Sequence, residues 1–291
     1  METWFYIALV SALFSAFAAI FQKKVLFNFS ALEFSFLLSI FNLIIALALF
    51  PSMDFSKITA VGLVVLYLKT IIGSIAFLNI MLAIKNLEIS SALPLMTLTP
   101  VIVTLLSFII LGEKITELEF LGMLIFLVGT YILELKSKDK FLDPIKTLVK
   151  TQYHKYIFYA LILLSVSSVI DKLIVVDLKL SPFNFVVFQQ IFLAINFTFI
   201  ILLRKNDPII IFKKVDKSNF LWILLIAFLT IGYRYTQIEA VKIAPVALVL
   251  TVKRTSVFIA SMLGGKIFKE KKLLQKGIAI ILILVGAYIL S

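Results

Sequence analysis

The sequence predicts an all-α membrane protein of ten transmembrane helices, arranged as two inverted five-helix repeats. Three observations carry this prediction. The 291 residues are 62% hydrophobic and only 15% charged, with a mean hydropathy of +1.12, whereas a soluble domain sits nearer half apolar and a quarter charged. The apolar residues fall into ten runs of about 20, the length that crosses a bilayer. The second half of the chain also repeats features of the first at a constant offset.

In order, the runs are 3–22, 31–50, 61–83, 89–112, 117–135, 155–176, 181–203, 218–239, 243–266 and 273–291, numbered here as spans 1 to 10. They are continuous rather than alternating in polarity, which argues against a transmembrane β-barrel. Span 1 opens with "METWFYIALVSALFSAFAAIFQKK", which has Glu2 where a secretory leader would be basic and no small-residue cleavage site. It is predicted to be a retained helix. Spans 2 and 4 end at the polar breaks "PSMDFSK" (51–57) and "GEKITE" (112–117). Pro94 and Pro100 are predicted to bend span 4 and free its carbonyls, and Pro245 to sit in the first turn of span 9, where proline is tolerated. The one long hydrophilic stretch, "KSKDKFLDPIKTLVKTQYHK" (136–155), divides the chain. A first repeat covers 1–135, a basic linker 136–154 and a second repeat 155–291, with His154 expected as a solvated linker residue.

The repeat is visible at an offset of 157. "AIK" (83–85) meets "AVK" (240–242), "EK" (113–114) meets "EK" (270–271), and "VGTYIL" (128–133) meets "VGAYIL" (285–290). Five helices is an odd number, so the second copy enters the membrane from the opposite side. Inverted repeats characterise secondary transporters, which bind substrate near the midplane where the repeats meet.

Composition also excludes functions. With no cysteine, disulfide and thiolate chemistry are ruled out. A formal charge of +12 invites a nucleic-acid partner, but basic loops beside spans meet lipid headgroups and set orientation. There is no phosphate-binding Gly-x-x-x-x-Gly-Lys-Ser/Thr loop, so ATP does not drive transport on this chain, and no cofactor is expected. With those at span ends counted in the adjoining loop, 24 Lys and Arg are loop residues, and 19 of them follow spans 1, 3, 5, 7 and 9. The positive-inside rule places the linker in the cytoplasm and both termini outside.

Four cations remain once the loops and span ends are assigned: Lys69, Arg234, Lys253 and Arg254. Charges at that depth cost roughly 2.5–3.5 kcal/mol each and as a rule face the bundle interior or water. For Lys69 and Arg234, snorkelling or a structural ion pair competes with substrate binding, and Glu239, five residues beyond Arg234, is the expected partner. No matching set of acids is evident, because Glu33, Asp171, Asp177 and Glu239 all fall near predicted helix ends. Lys253 and Arg254 therefore read either as an anion site or as part of an internal network. At the offset of 157 they align with Met96 and Thr97, so only one half carries the charge. Gln189, Gln190, Asn42 and Asn79 are further candidates for a cavity lining, or for bonds between helices.

The residues that end each half carry a resemblance. "LSFIILGEKITELEFLGMLIFLVGTYIL" (106–133), "VKRTSVFIASMLGGKIFKEKKLLQKGIAIILILVGAYIL" (252–290) and "SSVIDKL" (167–173) resemble the drug/metabolite transporter superfamily, specifically its ten-helix EamA family. Phe268-Lys269-Glu270 stands where that family usually has Phe-Gly-Glu. The resemblance implies alternating access through a central cavity formed by helices 1–4 and 6–9, with cytoplasmic termini, in conflict with the charge count. "VKRTS" (252–256) is also similar to the Lys-Arg pair with which distantly related sugar-phosphate translocators hold phosphate. The same residues recur in EamA members of unassigned substrate, so a structural role stays open.

The expected function is secondary transport of a small anionic or zwitterionic metabolite at the cell membrane. Lys253, Arg254, Lys69, Arg234, Gln189 and Asn79 are the substrate-binding candidates, and Asp171-Lys172 a possible gate. The expected partners are a small molecule and membrane lipids, and oligomeric state is left undetermined. Two alternatives stand: an exporter of amino acids or amphipathic cations with structural basic residues, and a lipid-binding or intramembrane enzyme protein. The enzyme reading needs an acid–base or metal cluster at membrane depth, and none is visible in the sequence.

Overall fold

Backbone groups inside a bilayer have no water to bond, so each crossing segment must satisfy its own hydrogen bonds as a helix. The computed structural model describes residues 3–89, 93, 96–112, 116–134 and 152–268, together with 281, 282, 285, 286 and 289. Among them there is no strand. The helices are α1 (Thr3–Val25), α2 (Ala31–Leu47), α3 (Ala60–Asn86), α4 (Thr99–Leu111), α5 (Glu117–Glu134), α6 (Gln152–Val176), α7 (Pro182–Leu203), α8 (Pro208–Lys213), α9 (Lys217–Ile243), α10 (Val246–Lys253) and α11 (Thr255–Ile267). Helices α1 to α7 correspond to spans 1 to 7, α9 to span 8, and α10 with α11 to span 9. Span 10 lies largely outside the described residues. Among the described residues, six helices, counting α10 and α11 as one, are long and apolar enough to cross a membrane, and α2 and α4 are shorter apolar helices.

Local chemistry sets many of the ends. Ser30 and Glu33 form a capping box at the start of α2. Ser181 caps α7 through the Asn184 amide, and Asp216 caps α9 through that of Asn219. Pro182 and Pro208 occupy first turns, where no amide hydrogen is needed.

The main packing pairs join the two halves: α1 lies along α9 and α11, α3 along α6, and α2 along α7. The halves also use the same devices. α3 and α9 are both 27 residues long, and the bounds of one map onto the other at the offset of 157. The Lys23 ammonium donates to the Ile84 and Leu87 carbonyls at 2.6 and 2.7 Å, closing the end of α3. Lys172 does the same for α9 through Val241 and Ala244 at 2.9 and 2.8 Å.

Contacts define two faces. Asn28 reaches Asn219 at 3.0 Å and Lys214 reaches Glu33 at 2.5 Å. The ends of α1, α3 and α7 and the starts of α2 and α9 therefore share one face, which carries Lys23, Lys24, Lys85, Arg204, Lys205, Lys213 and Lys217. On the other face the Asn184 side chain ties down the Asp54 backbone, donating to its carbonyl at 2.6 Å and accepting its amide at 3.1 Å.

Several expectations need correction. In span 4, Ile89 and Leu93 are helical, a 3-10 turn at Met96–Leu98 interrupts the run, and α4 follows from Thr99 with Pro100 in its first turn. Pro94 falls outside the described residues. Span 9 breaks at Arg254, whose amide donates to both Leu250 and Thr251 carbonyls at 3.0 Å, while the Thr255 hydroxyl donates to Val252 O at 2.9 Å. These i−3 bonds tighten the backbone out of regular α geometry. At the offset of 157 this break falls on the Met96–Leu98 turn. Pro245 caps α10 from outside rather than sitting within its first turn. His154 lies in the first turn of α6, not in the linker.

Candidate functional site

Helical spacing puts residues i, i+3, i+4 and i+7 on one face. In α6 that stripe is Leu164, Ser167, Ser168 and Asp171; in α9 it is Thr230, Tyr233, Arg234 and Gln237. Both stripes line an internal cavity of about 240 Å³, together with residues of α1, α2, α3, α7, α10 and α11. On α3 the lining runs from Lys69 to Ile84, roughly 22 Å of depth at 1.5 Å per residue. The cavity therefore extends from mid-membrane toward the basic face. Beyond its inner end, toward the other face, lies an apolar cluster that includes Leu66, Val169, Phe185, Ile238 and Val246.

The charged groups meet at the inner end. Asp171 divides its carboxylate between two cations, with Oδ1 2.7 Å from Lys69 Nζ and Oδ2 2.8 Å from an Arg234 terminal nitrogen. Arg234 Nε donates to Gln189 Oε1 at 2.8 Å. The Phe185 ring centroid lies 5.0 Å from Lys69 Nζ and 5.2 Å from Arg234 Cζ, close enough for cation–π attraction. Lys69 and Asp171 are 1% and 2% exposed, so this bridge works in a low-dielectric setting.

Among the described residues Lys253 and Arg254 have no such acid. Lys253 Nζ donates to Gln237 Oε1 and lies 4.5 Å from the Tyr233 ring centroid. Arg254 lines the cavity, and its buried Nε has no hydrogen-bond partner. Four cations thus share the lining with one carboxylate, a formal surplus of three positive charges. A buried unpaired charge costs several kcal/mol, so the site is chemically suited to an anion. Nearby, the side-chain oxygens of Asn42 and Gln190 are also buried, on the lining, and without partners.

Five of the six candidates from the sequence come together here: Lys253, Arg254, Lys69, Arg234 and Gln189. Asn79 does not. Its amide donates to Ile75 O within the same helix at 2.8 Å, and it is not on the lining. The expected Arg234–Glu239 pair is also replaced. Residues five apart point about 140° away from each other on a helix; Glu239 accepts from Tyr235 at 2.9 Å, and Arg234 turns to Asp171. Asp171 does lie near the end of α6, which stops at Val176, yet its carboxylate reaches the cations of α3 and α9. The signal that locates it is the serine-rich stripe ending on a carboxylate. Among the described residues no group of three or more His, Cys, Asp or Glu is placed to hold a metal ion.

A family model described as the EamA-like transporter family matches residues 2–135 and 153–291. A solved structure described only as "Crystal structure of protein" superposes with a TM-score of 0.72, covering 99% of this chain and 96% of its own at 15% identity. At that identity the likeness is one of fold. No curated protein matches the sequence significantly.

Proposed function

The chain belongs to the EamA-like transporter family, and on that footing we propose that it is a secondary transporter for a small anionic or zwitterionic metabolite. The observation that carries this reading is the cavity in which four cations face one carboxylate. Arg254 offers a buried Nε donor without a partner on a guanidinium whose fork matches a carboxylate or phosphate edge, and Lys253 adds a compact charge. A cavity of about 240 Å³ sits at the small end of ligand pockets, which suits a small metabolite.

Ten helices in two inverted repeats, moving by alternating access, complete the proposal. The matched lysine clamps and the packing across halves support it. With the basic face in the cytoplasm, as the loop charge bias favours, the present state has its cavity directed inward. A second reading, export of amino acids or amphipathic cations with structural basic residues, is favoured for Lys69 and Arg234 by their shared bond to Asp171.

Uptake into proteoliposomes, across amino acids, sugar phosphates and nucleotide sugars, tests the proposal. An anion is expected to be transported, and the Lys253→Gln/Arg254→Gln variant to lose at least tenfold of that uptake. If a correctly folded double variant handles the transported anion normally, the proposed site is wrong.

A further inference from the structure

Among the described residues Asp171 is the only acid on the lining, and it holds Lys69 and Arg234 as a substrate carboxylate would, one oxygen to each. Neither cation depends on it alone for position. Arg234 is also held by Gln189, and both cations lie against Phe185. Lys69, Asp171 and Arg234 belong to α3, α6 and α9, so the carboxylate also bridges the two halves. We infer that Asp171 is a tethered counter-anion: it competes with the transported anion for Lys69 and Arg234, and so sets the affinity of the cavity. This inference rests on the anion reading of the same cavity.

The two charge pairs then have different duties. Lys253 and Arg254 lack an acid and receive the incoming anion first. Lys69 and Arg234 are already satisfied, and an anion reaches them only by displacing or sharing Asp171, whose own charge repels it. Without this carboxylate the formal surplus rises from three to four and the repulsion disappears. A residue that merely supports the site weakens binding when it is altered. A competing carboxylate does the reverse, so the sign of the effect discriminates between the two roles.

The test uses the purified full chain, with inorganic phosphate and succinate as anion probes, read by thermal stabilisation and titration. For Asp171→Asn the expected result is apparent affinity tighter by about tenfold or more. The empty variant should melt below the wild type and recover steeply as either probe is added. Lys69→Met/Asp171→Leu removes one charge of each sign and keeps the surplus at three; with Arg234 freed and the repelling carboxylate gone, it should bind no more weakly than the wild type. In a Lys69→Met background, where only Arg234 is left without its acid, Asp171→Asn should again tighten binding. Unchanged or weaker binding in that background overturns the inference, even if the single variant fails to fold. If neither probe stabilises the wild type or any variant, the anion reading of the cavity falls, and this inference with it.

Discussion

Arg254→Gln is expected to make the empty protein more stable and its anion binding weaker, two effects of opposite sign from one change. The wild-type guanidinium lines the cavity with a buried Nε that meets no acceptor. A buried donor left unsatisfied costs about 1–3 kcal/mol, and glutamine removes both that donor and the charge. The melting temperature of the ligand-free protein should therefore rise, by roughly 2–4 °C per kcal/mol for a large domain. The same change deletes a charge-assisted bond to the anion, worth about 1.5–3 kcal/mol, which weakens binding roughly 10- to 150-fold. Lys253→Gln should stabilise less, because Lys253 already has Gln237 and the Tyr233 ring as partners. Melting curves in detergent, with and without phosphate or succinate, read both quantities. If ligand-free Arg254→Gln melts below the wild type, the arginine is structural and the internal-network reading of the pair is correct.

Two further outcomes test the packing. A Cβ on Gly232 would lie 2.6 and 2.7 Å from Phe14 ring carbons, where α1 meets α9, whereas one on Gly73 meets nothing within 4 Å. Gly232→Ala should cost about 1–3 kcal/mol from overpacking, partly offset by better helix propensity, and Gly73→Ala should gain about 0.5–1 kcal/mol. Equal melting temperatures for the two variants refute that geometry. Lys172→Met removes the donor that closes the end of α9 and should lower stability by about 2 kcal/mol, given that bonds to charged donors contribute about 1.5–3 kcal/mol each. An unchanged melting curve shows that water replaces the clamp at no cost.

What could be read along the chain were properties of single segments. Hydropathy placed spans 1, 2, 3, 5, 6, 7 and 8 within a few residues of the helices, because lipid imposes helix on any apolar run of that length. Charges at membrane depth drew attention to Lys69, Arg234, Lys253 and Arg254 before any contact was known, since such residues are costly wherever they stand. Asn79 shows the limit of that approach: an amide inside a span satisfies itself on its own helix as easily as it faces a cavity.

The tertiary structure decided which charges meet. Asp171 stands 102 positions from Lys69 and 63 from Arg234, and nothing local pairs them; only the packing of α3, α6 and α9 brings one carboxylate between two cations. It likewise decided that the buried Nε of Arg254 meets no acceptor and that its helix breaks beside it. The sequence alone determines that this chain lives in a membrane and carries more buried positive charge than negative. Where that surplus is concentrated depends on distances between helices, which hydropathy and spacing do not encode.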